Sequence, residues 1–523
     1  MSAGASGQAA WRHKRSAAAN IDTHDLLIIG AGINGAGIAR DAAGRGLSVA
    51  LCEQGDIGGA TSSSSSKLVH GGLRYLEQFA FRLVAESLAE REVLLRIAPH
   101  LTHARRFVLP QSPGMRPQWM VGAGLFLYDT LGSLRGGGRS LPASQRIDLA
   151  NDPRGGMFKP EYRKGFVYSD VSVDDARLTL ANVRAAVSHG ARFLVRTRFV
   201  EACRSDGHWL ATLEDAAGRR TLRARAIVNV AGPWVTRVAK NLPGAGAAAR
   251  LRLVRGSHIV VPRLYEGDHA CTLQNDDGRV CFLIPFQRAF TLIGTTDVEV
   301  GEADDAATIS TAEIDYLCRA ANRYMRHPLA SSDVVWSYAG VRPLIDDGKA
   351  AAASVSREYR FLLECDADGK LPLLTVFGGK LTTYRRLAET GLSKLASCFP
   401  SMGKPWTDGR PLPGGDFEKN AWATFPAELA RQYPDLPAPW LAELAGRHGT
   451  GCRVLLDGVR TVADLGRDFG GGLFEREVDH CIANEWAMAP DDVLWRRTKC
   501  GLHMTEEQRR DFNEWFIKLK NKT

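Results

Sequence analysis

Short apolar runs alternate with amphipathic stretches along the first hundred residues. Residues 26–29 form a β-branched apolar run, which is typical of a buried parallel strand. The pattern over residues 33–43 predicts a helix that ends at glycines, and residues 48–52 predict the next strand. Residues 81–97 predict an amphipathic helix that ends before a proline. This strand–helix–strand order predicts an α/β domain with a parallel sheet.

The pattern changes twice further along the chain. After a helix that begins at residues 174–175, closely spaced strands predict an antiparallel sheet, and from residue 411 onward the pattern is helical. The predicted fold class is therefore α/β, or α+β overall, with a Rossmann-like domain, an antiparallel-sheet domain and an all-helical C-terminal domain. The predicted divisions are a flexible tail (1–24), a discontinuous first domain within 25–410 (about 25–100, 165–250 and 335–400), an inserted sheet domain (about 101–164 and 251–334) and a helical domain (411–523).

Composition narrows the class of protein. The 523 residues are 45% hydrophobic and 24% charged, which is typical of a globular protein with a sizeable core. A net charge of +9 favours anionic partners. We do not expect nucleic-acid binding, because the basic residues are scattered and form no nucleic-acid motif. The ten cysteines include no C-x-x-C pair, so reduced thiols are expected and no metal site is predicted.

Two segments bear on location. Residues 1–24 lack the apolar core of a secretory signal, so a flexible tail is expected, and an organelle transit peptide stays open. No run of 18 apolar residues exists that could cross a bilayer. Residues 117–131 are the most apolar stretch. They predict either a core helix or an amphipathic helix in a membrane interface, with Trp119 and Tyr128 at its edges.

A glycine-rich turn follows the first strand at once. Gly30, Gly32 and Gly35 fit the spacing in which one glycine makes the turn, the next admits a pyrophosphate, and the third lets the helix pack closely. The second strand then delivers Glu53, a carboxylate placed to bind a ribose hydroxyl. Strand, glycine turn, helix and acid stand in the order of a dinucleotide-binding unit.

Two more segments suggest cofactor contacts. Residues 60–76 contain five consecutive serines before an apolar segment and a glycine pair; this predicts a loop whose hydroxyls and amides contact the cofactor, with a flexible linker as the alternative. Residues 373–385 repeat the order strand, glycine turn, helix, with Lys380 at the mouth of the turn. The turn at residues 340–342 after a predicted strand (334–338) places Arg342 in a similar setting.

Seven patches together carry a family resemblance. They are Gly30–Gly35 with Asn34, the segment from Thr61 through Leu76, Tyr168–Arg177, Gly256–Pro262, Ile293–Asp297, Gly340–Leu344 and Phe377–Tyr384. Over roughly residues 25–520, the chain resembles the FAD-dependent, quinone-linked glycerol-3-phosphate dehydrogenases of respiratory membranes. No calcium-binding loop of the D-x-[DN]-x-[DN]-G type is present in the sequence, so it resembles the bacterial form.

The resemblance implies a reaction, a cofactor and partners. It implies oxidation of sn-glycerol 3-phosphate to dihydroxyacetone phosphate, with hydride transfer from C2 to FAD and electrons passed on to ubiquinone or menaquinone. It also implies a peripheral protein on the cytoplasmic face of the inner membrane, and it leaves a homodimer open. Motifs and resemblance together give these cofactor contacts: Gly30, Gly32, Asn34, Gly35, Glu53, Thr61, Ser62, Ser66, Lys67, Gly232, Gly378 and Gly379.

Carried over by position, the substrate site is rich in cations. Arg74, Arg342 and Lys380 are expected to hold the phosphorylated substrate, with Tyr75 and Thr382 as hydrogen-bonding neighbours. His258 is expected to be the general base, since a neutral imidazole accepts a proton near physiological pH, and Arg342 is expected to stabilise the alkoxide. The alternative for His258 is a core histidine that is hydrogen-bonded to the backbone. The alternatives are a related FAD-dependent oxidase that uses oxygen, on glycerol 3-phosphate or an amino acid, and a non-enzymatic flavin-binding protein.

Overall fold

The computed structural model describes residues 22–111, 115–135, 140–245, 250–303, 308–346, 358–366, 368–418 and 421–521. Most of the predicted flexible tail (1–24) lies outside these residues. Its last residues do not belong to a tail, because the first strand already begins at Thr23. This strand pairs in parallel with two neighbours, and that pairing fixes the chain from its first described residues onward.

The first sheet has eight strands in the described part of the chain. Its centre is parallel, in the order β18-β10-β1-β2-β7, and antiparallel strands join at one edge and on β10. Numbered along the whole chain, its strands are β1 (Thr23–Ile29), β2 (Val49–Cys52), β7 (Arg192–Leu194), β8 (Arg198–Ser205), β9 (His208–Asp215), β10 (Gly218–Asn229), β17 (Arg360–Glu364) and β18 (Leu373–Phe377). The parallel strands are buried on both faces, as their continuous apolar runs predicted.

The second sheet has ten strands in the described part of the chain, and all but one of its pairings are antiparallel. Its strands are β3 (Leu68–Val69), β4 (Thr102–Gln111), β5 (Gln145–Asp148), β6 (Lys164–Val173), β11 (Leu251–Pro262), β12 (Ala270–Gln274), β13 (Val280–Phe286), β14 (Phe290–Gly294), β15 (Val298–Val300) and β16 (Trp336–Ile345). The sequence placed the segments of β3, β6 and β16 in the first domain. Hydrogen bonding across the ladder, which no local pattern encodes, puts all three in the second sheet.

Helices cover the faces of both sheets. The helices before the C-terminal domain are α1 (Ile33–Gly44), α2 (Phe81–Ile97), α3 (Gln118–Arg135), α4 (Asp175–Ser188), α5 (Val235–Ala239), α6 (Thr311–Asn322) and α7 (Tyr384–Lys394). Helices α1, α4 and α7 pack with the parallel strands into one apolar core. The α4 helix begins as predicted, since the Asp174 side chain accepts a hydrogen bond from the Arg177 amide at its first turn.

Helix α3 has one buried face, as a core helix would, and one exposed apolar face. Val121, Leu125 and Tyr128 on one face are buried in the core beneath the second sheet. On the opposite face, Trp119 is 71% exposed and Phe126 is 75% exposed. Tyr128 therefore does not lie at an interfacial edge. Its hydroxyl donates to the buried carboxylate of Asp170, which draws the ring inward.

The C-terminal domain is helical, and the predicted fold class is confirmed. It contains α8 (Phe425–Gln432), α9 (Ala438–His448), α10 (Cys452–Leu455), α11 (Glu475–Glu485), a π-helical turn (Asp492–Arg497) and α12 (Glu506–Lys520). Trp440 lies in the core of this domain, whereas Trp495 stacks on Trp336 of β16 with ring centroids 5.0 Å apart, and so joins this domain to the second sheet.

Candidate active site

A cavity of about 1360 Å³ lies where the carboxyl ends of the parallel strands meet the second sheet. Of the eighteen residues predicted from the sequence as site residues, fifteen line it: Gly30, Gly32, Asn34, Glu53, Thr61, Ser62, Ser66, Arg74, Tyr75, Gly232, Arg342, Gly378, Gly379, Lys380 and Thr382. Gly35, Lys67 and His258 do not. Segments more than 300 residues apart in the chain are thus brought to one cavity.

The glycine turn forms one end of this cavity. Gly30 has φ of +107°, a left-handed conformation that glycine tolerates best. A Cβ on Gly35 would lie 1.9 Å from the Gly30 carbonyl oxygen, so only glycine lets α1 pack against β1 at this point. Gly35 therefore acts behind the cavity wall. At Gly32, a Cβ would meet only the Ser62 hydroxyl, at 3.1 Å, and would project toward the cavity.

Glu53 and Asn34 are polar groups at the same end. Both carboxylate oxygens of Glu53 accept backbone amides, from Ala31 and Gly55, each at 2.8 Å. Burial raises the pKa of Glu53, against the lowering effect of these two hydrogen bonds. Asn34 Nδ2 donates to the Gly378 carbonyl at 3.1 Å, while its Oδ1 is buried and has no hydrogen-bond partner among the described residues. A glycine cradle with an unsatisfied amide oxygen fits a dinucleotide such as FAD.

The serine-rich segment is an anchored loop, as opposed to a flexible linker. The Ser62 hydroxyl accepts the Ile33 amide at 2.9 Å, at the start of α1, and the Thr61 hydroxyl donates to the Val341 carbonyl at 2.7 Å. Lys67 was predicted to contact the cofactor, but it points away from the cavity. Its ammonium is buried against the Asp175 carboxylate at 2.7 Å, because a buried cation needs a charged partner.

Arg342 lies on the second sheet and also borders the cavity. The sequence predicted a turn at Gly340, but β16 runs straight through it, since residues 336–345 pair continuously with β11. The Arg342 guanidinium forms an ion pair with Asp297 and donates to the Thr295 hydroxyl at 3.0 Å. A Cβ on Gly256, across the strand pair, would lie 2.3 Å from its Nη2. Glycine at this position makes room for the cation.

His258 lies behind this wall, on β11. It is 1% exposed, its ring stacks on Tyr338 with centroids 4.9 Å apart, and its Nε2 is 2.9 Å from the Ser66 hydroxyl. Burial, together with the charges of Arg342 and Lys67, holds the pKa of His258 well below its usual range. The imidazole is therefore neutral at physiological pH. Ser66 lines the cavity and stands between its surface and the ring.

The two remaining predicted cations, Lys380 and Arg74, lie on different segments, the glycine turn after β18 and a 3-10 turn. Gly378 and Gly379 have φ of +71° and +100°, which directs the chain into the cavity before α7. Lys380 Nζ lies 4.0 Å from the centroid of the Tyr75 ring. Tyr75 and Arg74 belong to a short 3-10 turn (Leu73–Gln78) that borders the cavity.

Sequence reasoning missed several residues that hold these groups in place. Asp297 pairs with Arg342, Tyr338 stacks on His258, and Asp175 binds Lys67. Asp297 and Asp175 stand in the patches that carried the resemblance, so a search there for partners of each cation would have found both. The Tyr338 contact depends on the register of β11 with β16, in which it lies opposite His258.

One grouping outside the cavity has metal-ligand types. His448, His480 and Glu485 bring ligand atoms within 4.8 Å of one another among the described residues. However, Arg177 donates to Glu485 at 2.8 Å and lies 3.2 Å from the free ring nitrogen of His448. A guanidinium therefore already contacts two of the three groups. The prediction of no metal site stays a prediction.

Comparison with known proteins identifies the family. The model described as "FAD dependent oxidoreductase" matches residues 25–385, and that of the "C-terminal domain of alpha-glycerophosphate oxidase" matches residues 405–513. The chain is 49% identical to D-erythritol 1-phosphate dehydrogenase of Brucella abortus (95% of this chain, 98% of that protein). It is 48% identical to glycerol-3-phosphate dehydrogenase of Pseudomonas aeruginosa (93% and 94%) and 45% identical to aerobic glycerol-3-phosphate dehydrogenase of Escherichia coli (95% and 98%).

A solved structure agrees with these sequence relatives. The glycerol-3-phosphate dehydrogenase of Bacillus halodurans, complexed with FAD, superposes with a TM-score of 0.70 at 26% identity and covers 95% of this chain and 94% of its own. More distant matches, such as a glycine oxidase of Geobacillus kaustophilus at 19% identity, show the fold alone. The protein is therefore a flavoprotein oxidoreductase with FAD as its cofactor, and it belongs to the family of FAD-dependent glycerol-3-phosphate dehydrogenases.

Proposed function

We propose that this protein oxidises sn-glycerol 3-phosphate to dihydroxyacetone phosphate and passes the electrons to a membrane quinone. The observation that carries the proposal is the pair of cations, Arg342 and Lys380, that border one cavity with the glycine cradle. A phosphate dianion needs such cations, whereas an uncharged polyol does not. Relatives named for glycerol 3-phosphate, at 45–48% identity, support the same substrate.

FAD, when bound, supplies a two-electron acceptor at its flavin ring. The chain's own residues have other tasks. Arg342, fixed by Asp297 and Thr295, presents a positive charge that stabilises oxygen as the C2 hydroxyl loses its proton. His258 is the candidate acceptor of that proton, because the Ser66 hydroxyl at 2.9 Å provides the contact from the cavity surface to its Nε2. Burial and the nearby cations lower the pKa of His258 and so oppose proton uptake by the ring.

A longer polyol phosphate is the second candidate substrate. The relative at 49% identity is named for D-erythritol 1-phosphate. The cavity also extends past Arg342 along the second sheet to Thr272 and Gln274, whose polar side chains suit further hydroxyl groups. Arg116 holds the Gln274 amide oxygen at 2.9 Å and fixes that side chain.

Anaerobic flavin bleaching tests the reaction and separates the candidates. Purified holoenzyme is mixed without oxygen with glycerol 3-phosphate, D-erythritol 1-phosphate, glycerol or glycine, and loss of the oxidised flavin absorbance is followed. We expect rapid bleaching by glycerol 3-phosphate and none by glycerol or glycine. Faster bleaching by D-erythritol 1-phosphate would identify the longer polyol phosphate as the preferred substrate. Bleaching by glycine would favour an amino-acid oxidase, and bleaching by none of the four would favour a flavin-binding protein without this activity.

An apolar surface near the cavity supports the membrane and quinone parts of the proposal. Phe79, 77% exposed, and its neighbour Phe81 lie beside the exposed face of α3, and both rings border the cavity. With Trp119, Met120 and Phe126 they form what we term the apolar rim. Exposed aromatic residues of this kind bind a membrane interface, and a rim open to the cavity suits a lipid-soluble quinone. No helix among the described residues is long and apolar enough to cross a bilayer.

The apolar rim is tested by vesicle binding. The double variant Trp119→Ser, Phe126→Ser should bind anionic vesicles several-fold more weakly than the wild type and should reduce a long-chain quinone more slowly in their presence. Val454→Ser is the matched control, since Val454 is exposed but lies on α10 of the C-terminal domain. Equal vesicle binding by all three proteins would remove the rim from the membrane proposal. Peroxide release in air would measure oxygen as the acceptor, and light scattering would test for the homodimer that the resemblance leaves open.

A further inference from the structure

The C-terminal helical domain contributes a side chain to the cavity. Arg496 lies on the π-helical turn Asp492–Arg497 and borders the cavity, although it belongs to a domain in which the sequence showed no site. Its side chain is 19% exposed, so it is held in place but still reaches the cavity surface. Single π-helical turns occur frequently at functional sites.

Arg496 meets the loop that follows β2. Its Nε donates to the Asp56 carboxylate, and its Nη2 donates to Asp492. Arg497, next in the chain, is fully buried and holds the same Asp56 carboxylate with both terminal nitrogens. Arg196, beside the end of β7, donates to both oxygens of Asp492 at 2.9 and 3.0 Å. These contacts tie the C-terminal domain to the loop.

The loop belongs to the ribose end of the dinucleotide site. Glu53 precedes it, and the Gly55 amide donates to the Glu53 carboxylate. Residues 53–56, 58–59 and 196–199 line the cavity together with Arg496. Burial raises the pKa of Asp492, but the Met488 amide and the charges of Arg496, Arg196 and Arg497 outweigh it and leave that pKa below its usual value.

The guanidinium groups of this cluster outnumber the carboxylates that they contact directly, and the Glu53 carboxylate lies near Arg196 and Asp56. Three guanidinium groups, on Arg196, Arg496 and Arg497, face two carboxylates, on Asp56 and Asp492. The ADP part of FAD brings negative pyrophosphate charge and an aromatic adenine face. A guanidinium complements both of them, by charge-assisted hydrogen bonds and by stacking.

We propose that the C-terminal domain retains FAD, with Arg496 as a clamp on the ADP half of the cofactor. Arg497 is a positioning residue, because it is buried and acts through Asp56. The clamp concerns cofactor retention, so it stands whether glycerol 3-phosphate or a longer polyol phosphate is the substrate. It also gives the domain a task beyond its apolar contacts with the second sheet.

The rate of FAD release from the holoenzyme tests the clamp. Free FAD is followed by the rise of its fluorescence after dilution. Arg496→Ala should release FAD at least tenfold faster than the wild type, and Arg496→Lys should fall in between, because an ammonium keeps the charge but not the fork of donors. Arg288→Ala is the matched control. Arg288 forms an ion pair with Glu443 of the C-terminal domain at 3.3 Å but does not border the cavity.

The outcomes separate a clamp from a general loosening of the domain. Release at the wild-type rate from Arg496→Ala would overturn the proposal, and so would equal acceleration by Arg288→Ala. If Arg496→Ala does not fold, the Arg496→Lys variant decides, and an unchanged release rate from it would overturn the clamp.

The half of FAD that is held is tested with fragments of the cofactor. ADP should raise the thermal unfolding temperature of wild-type apoprotein more than that of the Arg496→Lys apoprotein, whereas riboflavin should stabilise both equally. A loss of the riboflavin effect with the ADP effect intact would place Arg496 at the flavin and would overturn the assignment.

Discussion

Two parts of the cavity wall, the glycine turn (the backbone end) and the second sheet (the side-chain end), differ in the groups that they offer to a ligand. At the β1–α1 turn, the wall is mostly backbone, with Gly30 and Gly32 presenting space and amides in place of side chains. At the second sheet, the wall includes a charged side chain, Arg342, which Asp297 holds by an ion pair before any ligand arrives. The difference indicates that the glycine turn binds its ligand through empty space and backbone amides. The second sheet binds its ligand through a charge that is fixed in place.

The largest effect is expected from a substitution in the glycine turn, at the backbone end. Gly32→Asp would place a carboxylate at the start of α1, where the Ser62 hydroxyl is the nearest atom, and would repel a pyrophosphate. We expect folded protein without a flavin spectrum, read by absorbance and circular dichroism. Gly446→Ala is the control, because nothing lies within 4 Å of its added Cβ. A yellow Gly32→Asp protein would show that this end does not depend on empty space.

The same difference explains what the sequence could predict. The glycine turn, Glu53 and helices such as α2 are set by local spacing, and the structure reproduces α2 with the predicted bounds (Phe81–Ile97). The predicted fold class is confirmed for the same reason, since element types follow from local periodicity.

The second end was harder to predict because it is built across strands. The placement of β6 and β16 depends on ladder partners far along the chain, and the expected turn at Gly340 lies inside a strand because β11 pairs with it throughout. The roles assigned to His258, Arg342 and Lys380 stay predictions. The structure adds the side chains that hold the first two, Tyr338 and Asp297, which no spacing rule reveals.

The next largest effect is expected from a substitution on the second sheet that leaves the glycine turn unchanged. His258→Gln keeps a polar group beside Ser66 but removes the base. Anaerobic flavin reduction should slow by roughly 10²–10⁴-fold, the usual contribution of general-base catalysis, while FAD stays bound. Stopped-flow absorbance measures the rate. Flavin reduction at a near wild-type rate would assign the role of proton acceptor to Lys380 or to water. Loss of FAD would show that the second sheet also contributes to cofactor binding.

Removal of the fixed charge should have a smaller effect. Arg342→Ala should lower kcat/KM for glycerol 3-phosphate at least tenfold with FAD retained, since a charge-assisted contact contributes about 1.5–3 kcal/mol. Asp297→Asn sharpens this result: the guanidinium remains but loses its ion pair, so a smaller loss than in Arg342→Ala is expected. Equal losses of kcat/KM in both variants would indicate that the position of the guanidinium limits the reaction more than its charge does. Unchanged kinetics in Arg342→Ala would exclude Arg342 from the substrate site.

The smallest expected effect tests whether an uncharged partner also fixes a cation. Lys380 Nζ lies 4.0 Å from the Tyr75 ring centroid, a cation–π distance at which the contact contributes about 1 kcal/mol. Tyr75→Leu should therefore raise KM about fivefold, with little change in the FAD spectrum. Tyr75→Phe keeps the ring and loses only the hydroxyl, so it should retain the wild-type KM if the ring is what holds Lys380. A KM raised equally by both variants would assign the role to the hydroxyl, as a direct hydrogen bond to substrate. Such a result would move Tyr75 from the residues that fix a charge to those that bind the ligand themselves.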